Sequence, residues 1–259
     1  MTTPARRRPA PIRTTVSRLT QISQHFVRVT LTGEDLSRFR WPGPAGHLKL
    51  ILPEPATAEL VLPEPGDDGL VTFDRSLPIT MRTYTARRFD PVAGELDLDI
   101  FLHGTGPASR WAENARPGDS VAVTVPRSAG FTEDPAAGWI LIAGDASALP
   151  AIATIVPALT RPATILAELD DLADRAALDV TAPVTWLPAA GSSGDELERT
   201  ILKEPLPAGH GQVWVAAEAT VIRRIRSGLL AGLGREQLTT RGYWRGGEAN
   251  HPDHDYGED

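Results

Sequence analysis

The chain has 259 residues, which is enough for two domains of ordinary size. Its net charge of −7 argues against a general nucleic-acid-binding protein, because such proteins usually carry a basic footprint. The sequence contains no cysteine, so disulfides and thiolate chemistry are excluded, and we assign no metal site to the His or carboxylate residues that remain.

The first residues are rich in proline and arginine and lack periodicity, so we predict a disordered arm over residues 1–11. This arm has no apolar stretch of the kind found in secretory signals, and no segment approaches the roughly 20 apolar residues that span a bilayer. We therefore expect a cytoplasmic protein without a membrane-spanning segment.

From residue 12 onward the chain predicts short strands separated by turns rich in glycine and proline. This pattern is typical of an antiparallel β-barrel, which we place over residues 12–130. The predicted strands cover residues 12–19, 25–31, 47–52, 81–87, 95–102 and 120–125.

The pattern changes after residue 130, where continuous apolar runs alternate with helical patterns. Such runs indicate parallel strands buried on both faces, and the alternation predicts an α/β domain over 131–247 that binds a nucleotide at the carboxyl ends of its strands. The strands are predicted at 139–144, 163–169, 184–187 and 212–217, and the helices at 146–159, 195–202 and 219–230. We expect a flexible tail over 248–259.

The segment MRTYTAR, residues 81–87, combines fixed charge, an aromatic ring and two hydroxyls. In a strand, Arg82, Tyr84 and Ala86 would point to one face and Thr83, Thr85 and Arg87 to the other. A flat anionic group could lie against such a strand. The alternative is an amphipathic strand with a solvated arginine and a tyrosine that packs at the end of the barrel.

A second segment, HGTGPASRWAENARPGD at residues 103–119, follows a predicted strand directly. Its glycines allow close approach of a ligand to the backbone, and the helical pattern that starts at Pro107 offers free N–H groups to a phosphate. A plain strand-to-helix turn would give the same pattern. Together, a positive charge at Arg82 and a helix start near Ser109 suit the pyrophosphate of a dinucleotide with a flat redox ring.

Five segments, RTYT, HGTGPASRWA, AGDASALPAI, VWVAAEATVIRRIR and GYWRGG, occur in an order and spacing that resemble the siderophore-interacting proteins of the ferredoxin-reductase superfamily. The resemblance covers residues 12–247. It implies an FAD-binding β-barrel followed by a nicotinamide-binding domain, acting together as a flavin-dependent reductase of ferric siderophores.

The resemblance also implies roles for individual residues. Trp244, at the end of the last strand, would shield the flavin. Three basic residues would contact the siderophore, namely Lys49, Arg127 and Arg245. Residues that resemble the family's FAD site are Arg82, Thr83, Tyr84, Thr85, His103, Gly104, Gly106, Pro107, Ala108 and Ser109. Residues that resemble its nicotinamide site are Gly144, Asp145, Ser147, Ala148 and Glu218.

The chain departs from the family pattern at the predicted nicotinamide site. Ala146 and Ser147 replace Glu and Thr, Ala217 replaces a glycine, and no basic residue follows the WL strand. NADPH, NADH and a ferredoxin therefore stay open as electron donors. No residue is required as an acid, base or nucleophile, because a bound flavin carries the redox chemistry.

Two other functions stay open on the sequence. One is a general NAD(P)H-dependent flavin or ferric reductase, and the other is a non-catalytic protein that binds ferric siderophores. We expect a monomer.

Overall fold

The computed structural model describes residues 8–73, 77–104, 106–126, 129–190, 193–203 and 205–247. The chain divides into two compact units, which we describe separately. Unit 1 comprises residues 1–21 and 25–129, and unit 2 comprises residues 22–24 and 130–259. Among the described residues, no helix is long and apolar enough to cross a bilayer.

Unit 1 is built on an antiparallel sheet, as the sequence predicted. The elements are β1 (Arg8–Pro9), β2 (Ile12–Ser23), β3 (Phe26–Thr32), β4 (His47–Leu52), β5 (Leu70–Val71), β6 (Thr80–Thr85), β7 (Arg88–Asp90), β8 (Glu95–Phe101), α1 (Pro107–Asn114) and β9 (Ser120–Val123). Within the described residues the sheet has seven strands in the order β6-β4-β9-β2-β3-β8-β7, and α1 follows β8.

Alternating side chains on these strands form the core of unit 1. Leu48 and Leu50 on β4 are buried, as are Leu96, Leu98 and Ile100 on β8. Because successive strand residues face opposite sides, one face of the sheet supplies this apolar cluster and the other carries polar groups. On that polar side, the buried Asp99 accepts two hydrogen bonds from Arg28, at 2.7 and 2.8 Å.

The predicted strand over 81–87 is wrong at its end, because β6 stops at Thr85. The N–H of Ala86 donates to the carbonyl of Gly46, and the N–H of Arg87 donates to the carbonyl of Asp97. The chain therefore leaves its partner β4 and passes to β8 at this corner. The simple alternation of faces holds for Arg82–Thr85 and ends there.

The first residues of unit 1 also differ from the prediction. Arg8 and Pro9 form the short strand β1, which pairs antiparallel with Leu70 and Val71 of β5. The described part of the arm is thus held by backbone pairing, while residues 1–7 lie outside the described residues.

Unit 2 is a parallel sheet with helices, which confirms the predicted fold class. The elements are β10 (Trp139–Gly144), α2 (Leu149–Ile155), β11 (Thr164–Leu169), β12 (Thr185–Pro188), α3 (Asp195–Lys203), β13 (Gly211–Glu218), α4 (Ala219–Leu229) and β14 (Leu238–Trp244). The described strands are ordered β12-β11-β10-β13-β14, and all neighbours are parallel. The predicted tail, 248–259, lies outside the described residues.

Glycines permit close packing at both ends of β10. A Cβ on Gly211 would lie 2.0 Å from the ring of Trp139, and a Cβ on Gly144 would lie 2.4 Å from the Cβ of Ala148. Both distances are far shorter than van der Waals contact. Gly144 is therefore required by the packing of the following helical turn onto the strand.

Candidate functional site

Strands β4 and β6 place the predicted cofactor residues on opposite faces of unit 1. Arg82 and Tyr84 lie opposite Leu50 and Leu48, whereas Thr83 lies opposite Lys49. The Tyr84 side chain packs against the apolar core that also contains Ala108 and Ala112 of α1. Tyr84 of the arginine-bearing strand and two alanines of the glycine-flanked helix thus belong to one core. The prediction that Arg82 and the start of this helix share a ligand stays a prediction.

The guanidinium of Arg82 is partly buried, and its Nη1 donates to the carbonyl of Met81 at 2.8 Å. Burial lowers its pKa, and the neighbouring Tyr84 opposes this effect. Burial also raises the pKa of Tyr84 above its ordinary value, so the phenol stays neutral. Within the described part of the chain, no ion pair joins Arg82 to a carboxylate.

The loop between β8 and α1 is closed by the hydroxyl of Ser109. This buried Oγ accepts hydrogen bonds from the N–H groups of His103 and Gly104, both at 3.0 Å, and donates to Glu113 Oε1 at 3.3 Å. Gly104 has φ of 77°, a conformation that favours glycine. The N–H groups of His103 and Gly104, two residues that the resemblance implies for the FAD site, thus already have an acceptor in Ser109.

The start of α1 keeps other donors for an anion. Gly106 occupies the N-cap position without a side-chain cap, Pro107 follows it, and the first turn contains no acidic residue. The first intrahelical bond joins Arg110 N to Gly106 O at 3.0 Å. The N–H groups of Ala108 and Ser109 lie before this bond, in the first turn, which is the positive end of the helix dipole.

Lys49 is partly buried on β4, and its Nζ donates to Thr83 Oγ1 at 2.6 Å. Burial lowers the pKa of Lys49, and the positive charges of Arg8 and Arg82 lower it further. Lys49 therefore stands near two other cationic side chains in unit 1.

Strand β9 lies between β2 and β4. Val123 of β9 lies opposite Ile12 on one side and opposite Leu50 on the other. Thr124 in turn exchanges two hydrogen bonds with Lys49, both at 2.9 Å. Sequence reasoning gave Arg8 no function, because its position depends on the pairing of β1 with β5 and no local signal marks that pairing.

In unit 2, carboxylates occupy the carboxyl edge of the parallel sheet. Glu168, Asp145 and Glu218 stand at or just past the ends of the neighbouring strands β11, β10 and β13, and all three are buried. Each accepts backbone N–H groups. Glu168 accepts from Gly194 and Leu197, which places its carboxylate at the start of α3.

The residues expected at the nicotinamide site are thus engaged internally. Glu218 Oε2 accepts from the N–H groups of Thr220 and Val221 and caps α4. Asp145 Oδ1 accepts from Ser147 N at 2.9 Å and from Ser147 Oγ at 2.5 Å. Burial raises the pKa of Asp145 and of Glu168, and the hydrogen bonds to each carboxylate oppose that rise. Their binding of nicotinamide stays a prediction.

The predicted siderophore residues are not brought into one described cluster. Lys49 belongs to unit 1 and Arg245 to unit 2, and Arg127 lies outside the described residues. Trp244 is partly exposed at the end of β14, and its indole Nε1 donates to Asp145 Oδ2 at 2.9 Å. Its predicted role in shielding a flavin also stays a prediction.

Comparison with known proteins places this geometry in a family. Residues 15–130 match the siderophore-interacting FAD-binding domain, and residues 137–247 match the siderophore-interacting protein domain. The chain belongs to the siderophore-interacting protein family. The similarity to ferredoxin reductases is weaker and concerns the fold alone.

Individual relatives span most of the chain. Ferric vibriobactin reductase ViuB of Vibrio cholerae is 30% identical over 88% of this chain and 86% of its own length. The NADPH-dependent ferric-chelate reductase of Escherichia coli is 30% identical over 82% of this chain and 83% of its own. The crystal structure of a siderophore utilization protein from T. fusca superposes with a TM-score of 0.84 at 35% identity, covering 96% and 98% of the two chains.

Replacing Ser109 tests whether its hydroxyl closes the loop. We expect Ser109→Ala to lower the free energy of unfolding by about 1–3 kcal/mol, because two backbone N–H groups lose their acceptor. Urea unfolding measures the change. Ser120→Ala, at an exposed position of β9, is the matched control and should change it by less than about 0.5 kcal/mol. Equal effects for the two variants would contradict the assignment.

Lys49 and Lys203 are the only lysines in the chain, which permits a direct titration. Competitive acylation across a pH series, read by mass spectrometry, should give Lys49 a midpoint below 10.5, with Lys203 as the internal reference. Because Arg8 lowers the pKa of Lys49, Arg8→Ala should raise that midpoint, whereas Arg18→Ala on the same unit should not. An unchanged midpoint in Arg8→Ala would show that Arg8 does not lower the pKa of Lys49.

Proposed function

We propose that this protein is an FAD-dependent reductase that takes electrons from NAD(P)H and reduces Fe(III) in ferric siderophores, which releases Fe(II). Two features carry the proposal, the partly buried guanidinium of Arg82 and the uncapped start of α1, and both lie within a segment that matches an FAD-binding domain. Two relatives with matching length are named as ferric reductases.

The residues present in unit 1 fit FAD. A pyrophosphate requires fixed positive charge and free N–H donors, and Arg82 with the first turn of α1 supplies both. Gly104 offers open space where a side chain would otherwise stand, because no atom lies within 4 Å of a Cβ built there. Thr83, Thr85 and Tyr84 complete the proposed contacts, with the neutral Tyr84 ring against the flavin.

Bound FAD supplies the chemistry of accepting a hydride from nicotinamide and passing single electrons to iron. The side chains of the protein hold and orient the reactants. Arg82 would compensate the charge of the pyrophosphate, and the Ser109 hydroxyl ties the N–H groups of His103 and Gly104 to the first turn of α1.

Ferric siderophores bind iron through hard oxygen donors, and many of them are anionic. Ferrous iron is a softer and larger cation that such ligands hold far less well, so reduction releases the iron from the siderophore. We propose that Lys49, Arg127 and Arg245 attract the siderophore, with Arg8 reinforcing the positive charge around Lys49. The lowered pKa of Lys49 fits a cation held where an anionic partner would stabilise its charged form.

The sequence of unit 2 does not single out one electron donor. Residues 188–198, after β12, contain no lysine or arginine that would recognise a 2′-phosphate, so NADH is as well supported as NADPH. A ferredoxin is the third candidate donor. We also propose that the protein acts as a monomer.

Donor and substrate can be tested in one series of reactions. The purified protein should be yellow and show flavin absorbance. Anaerobic stopped-flow reduction with NADPH, NADH and reduced ferredoxin should bleach the flavin with at least one donor, and a ferrous chelator should then trap iron from a ferric siderophore. Equal rates with ferric citrate would favour a general ferric reductase. A colourless protein that cannot be reconstituted with FAD would favour a non-catalytic binding protein.

Arg82→Ala should weaken FAD binding about 10- to 100-fold, the loss expected when a charge-assisted hydrogen bond is removed. Titration of the apoprotein, followed by quenching of flavin fluorescence, measures the dissociation constant. Arg88→Ala, three residues beyond β6 at an exposed position, controls for the loss of net charge. Equal weakening by the two variants would indicate that Arg82 acts only through long-range charge.

A further inference from the structure

Thr83 and Lys49 form a directly opposed pair on the antiparallel strands β6 and β4. Side chains of directly opposed residues stand on the same face of a sheet and within reach of each other. The ammonium of Lys49 uses this proximity and donates to Thr83 Oγ1 at 2.6 Å. The contact therefore follows from the strand register and not from an incidental rotamer of a surface lysine.

The register also separates the Thr83 hydroxyl from its neighbour Tyr84. The Tyr84 side chain packs against the apolar core of unit 1, and its strand partner Leu48 is part of that core. Because successive strand residues face opposite sides, the side chain of Thr83 points away from the face that carries Tyr84. A contact of Thr83 with a flavin on the Tyr84 face would thus fall to its backbone, and its hydroxyl serves Lys49.

The backbone of Lys49 is held by a second threonine. Lys49 N donates to Thr124 Oγ1, and Thr124 N donates to the carbonyl of Lys49, both at 2.9 Å. A lysine normally carries its ammonium on a flexible four-carbon stem. Here hydrogen bonds restrain both the backbone and the tip of the side chain, so the ammonium is kept in one place.

The hydroxyl of Thr83 can serve a ligand while it holds the lysine. A threonine hydroxyl has one donor hydrogen and two acceptor positions, and the ammonium of Lys49 uses one of the acceptors. Among the described residues, no acceptor is hydrogen-bonded to the Thr83 hydroxyl, and Thr83 is exposed. The pair therefore presents two kinds of donor side by side to an anionic oxygen, an ammonium N–H and a hydroxyl O–H.

The surroundings of the pair are positive. Burial lowers the pKa of Lys49, and Arg8 and Arg82 lower it further. A hydrogen-bond acceptor at the ammonium opposes this effect, because it stabilises the charged form. Thr83 supplies that acceptor without a negative charge, so the site stays cationic and can still attract an anion.

We infer that Thr83 is a positioning residue for Lys49 and that the two side chains together bind one anionic oxygen of the ferric siderophore. The positioning follows from contacts within unit 1, whereas the identity of the ligand rests on the proposed function. Two measurements test these parts separately.

The first measurement is the titration of Lys49. Thr83→Val removes the hydroxyl and keeps the β-branched shape that suits a strand. Competitive acylation across a pH series, with Lys203 as the reference, should move the Lys49 midpoint to lower pH, because the ammonium loses an acceptor that stabilises it. Thr83→Ser, which keeps the hydroxyl, should retain the wild-type midpoint. Thr15→Val, at an exposed position of β2 in the same sheet, is the matched control and should also retain it.

The second measurement is steady-state reduction by the holoenzyme of two ferric complexes that differ in charge. Thr83→Val should raise KM for an anionic ferric tris-catecholate about 3- to 10-fold with little change in kcat, as expected for the loss of one hydrogen bond. The rise should be smaller for an uncharged ferric tris-hydroxamate. Thr83→Ser should restore the wild-type KM.

Several results would overturn the inference. An unmoved Lys49 midpoint in Thr83→Val, or the same movement in Thr83→Ser, excludes positioning by the hydroxyl. An unmoved KM for the tris-catecholate, or an equal rise for both complexes, excludes the anionic ligand. If Thr83→Val does not fold, Thr83→Ala is tested by the same criteria. The proposed function fails by a different result, namely a wild-type protein that does not bind FAD or does not reduce either complex.

Discussion

The cost of burying charge organises the carboxyl edge of unit 2. A carboxylate removed from water is strongly destabilised unless hydrogen bonds replace its hydration. Glu168, Asp145 and Glu218 meet this requirement with N–H groups of the turns and helices that follow β12, β10 and β13, and Asp145 also accepts from the end of β13. Each carboxylate thereby fixes where a turn or helix begins. The edge is held by side-chain-to-backbone bonds that a nucleotide phosphate would have to replace.

Much of the fold was predictable because local patterns agree with the final packing. The runs at 47–52 and 139–144 were predicted with the bounds of β4 and β10, since each is a short apolar run next to glycine- or proline-containing turns. The short strand β1, the corner at Ala86 and the bulge at Tyr243, which the pairing of β14 with β13 passes over, were not predicted. All three depend on a partner strand distant in sequence, and a one-dimensional pattern contains no information about that partner.

The candidate site could be predicted from the sequence to about the same extent as the fold. Alternation alone placed Arg82 and Tyr84 on one face and Thr83 on the other, and the register with β4 agrees. The roles of Ser109 and Asp145 could not be read in this way. A hydroxyl or carboxylate in a glycine-flanked turn suits a phosphate or a nucleotide, but it equally suits the N–H groups of its own turn. Only the coordinates show that both side chains are bound internally.

The two units also differ in how far hydrogen bonds compensate their desolvated charges. In unit 2 the buried carboxylates are saturated by donors, so their charge is compensated within the fold. In unit 1, Lys49 is partly desolvated on a barrel strand and is further destabilised by Arg8 and Arg82, with Thr83 as its hydrogen-bond partner. Such a cluster costs stability in the free protein, and that cost falls when an anion arrives. Saturated carboxylates maintain structure, whereas uncompensated cations indicate where a ligand is expected.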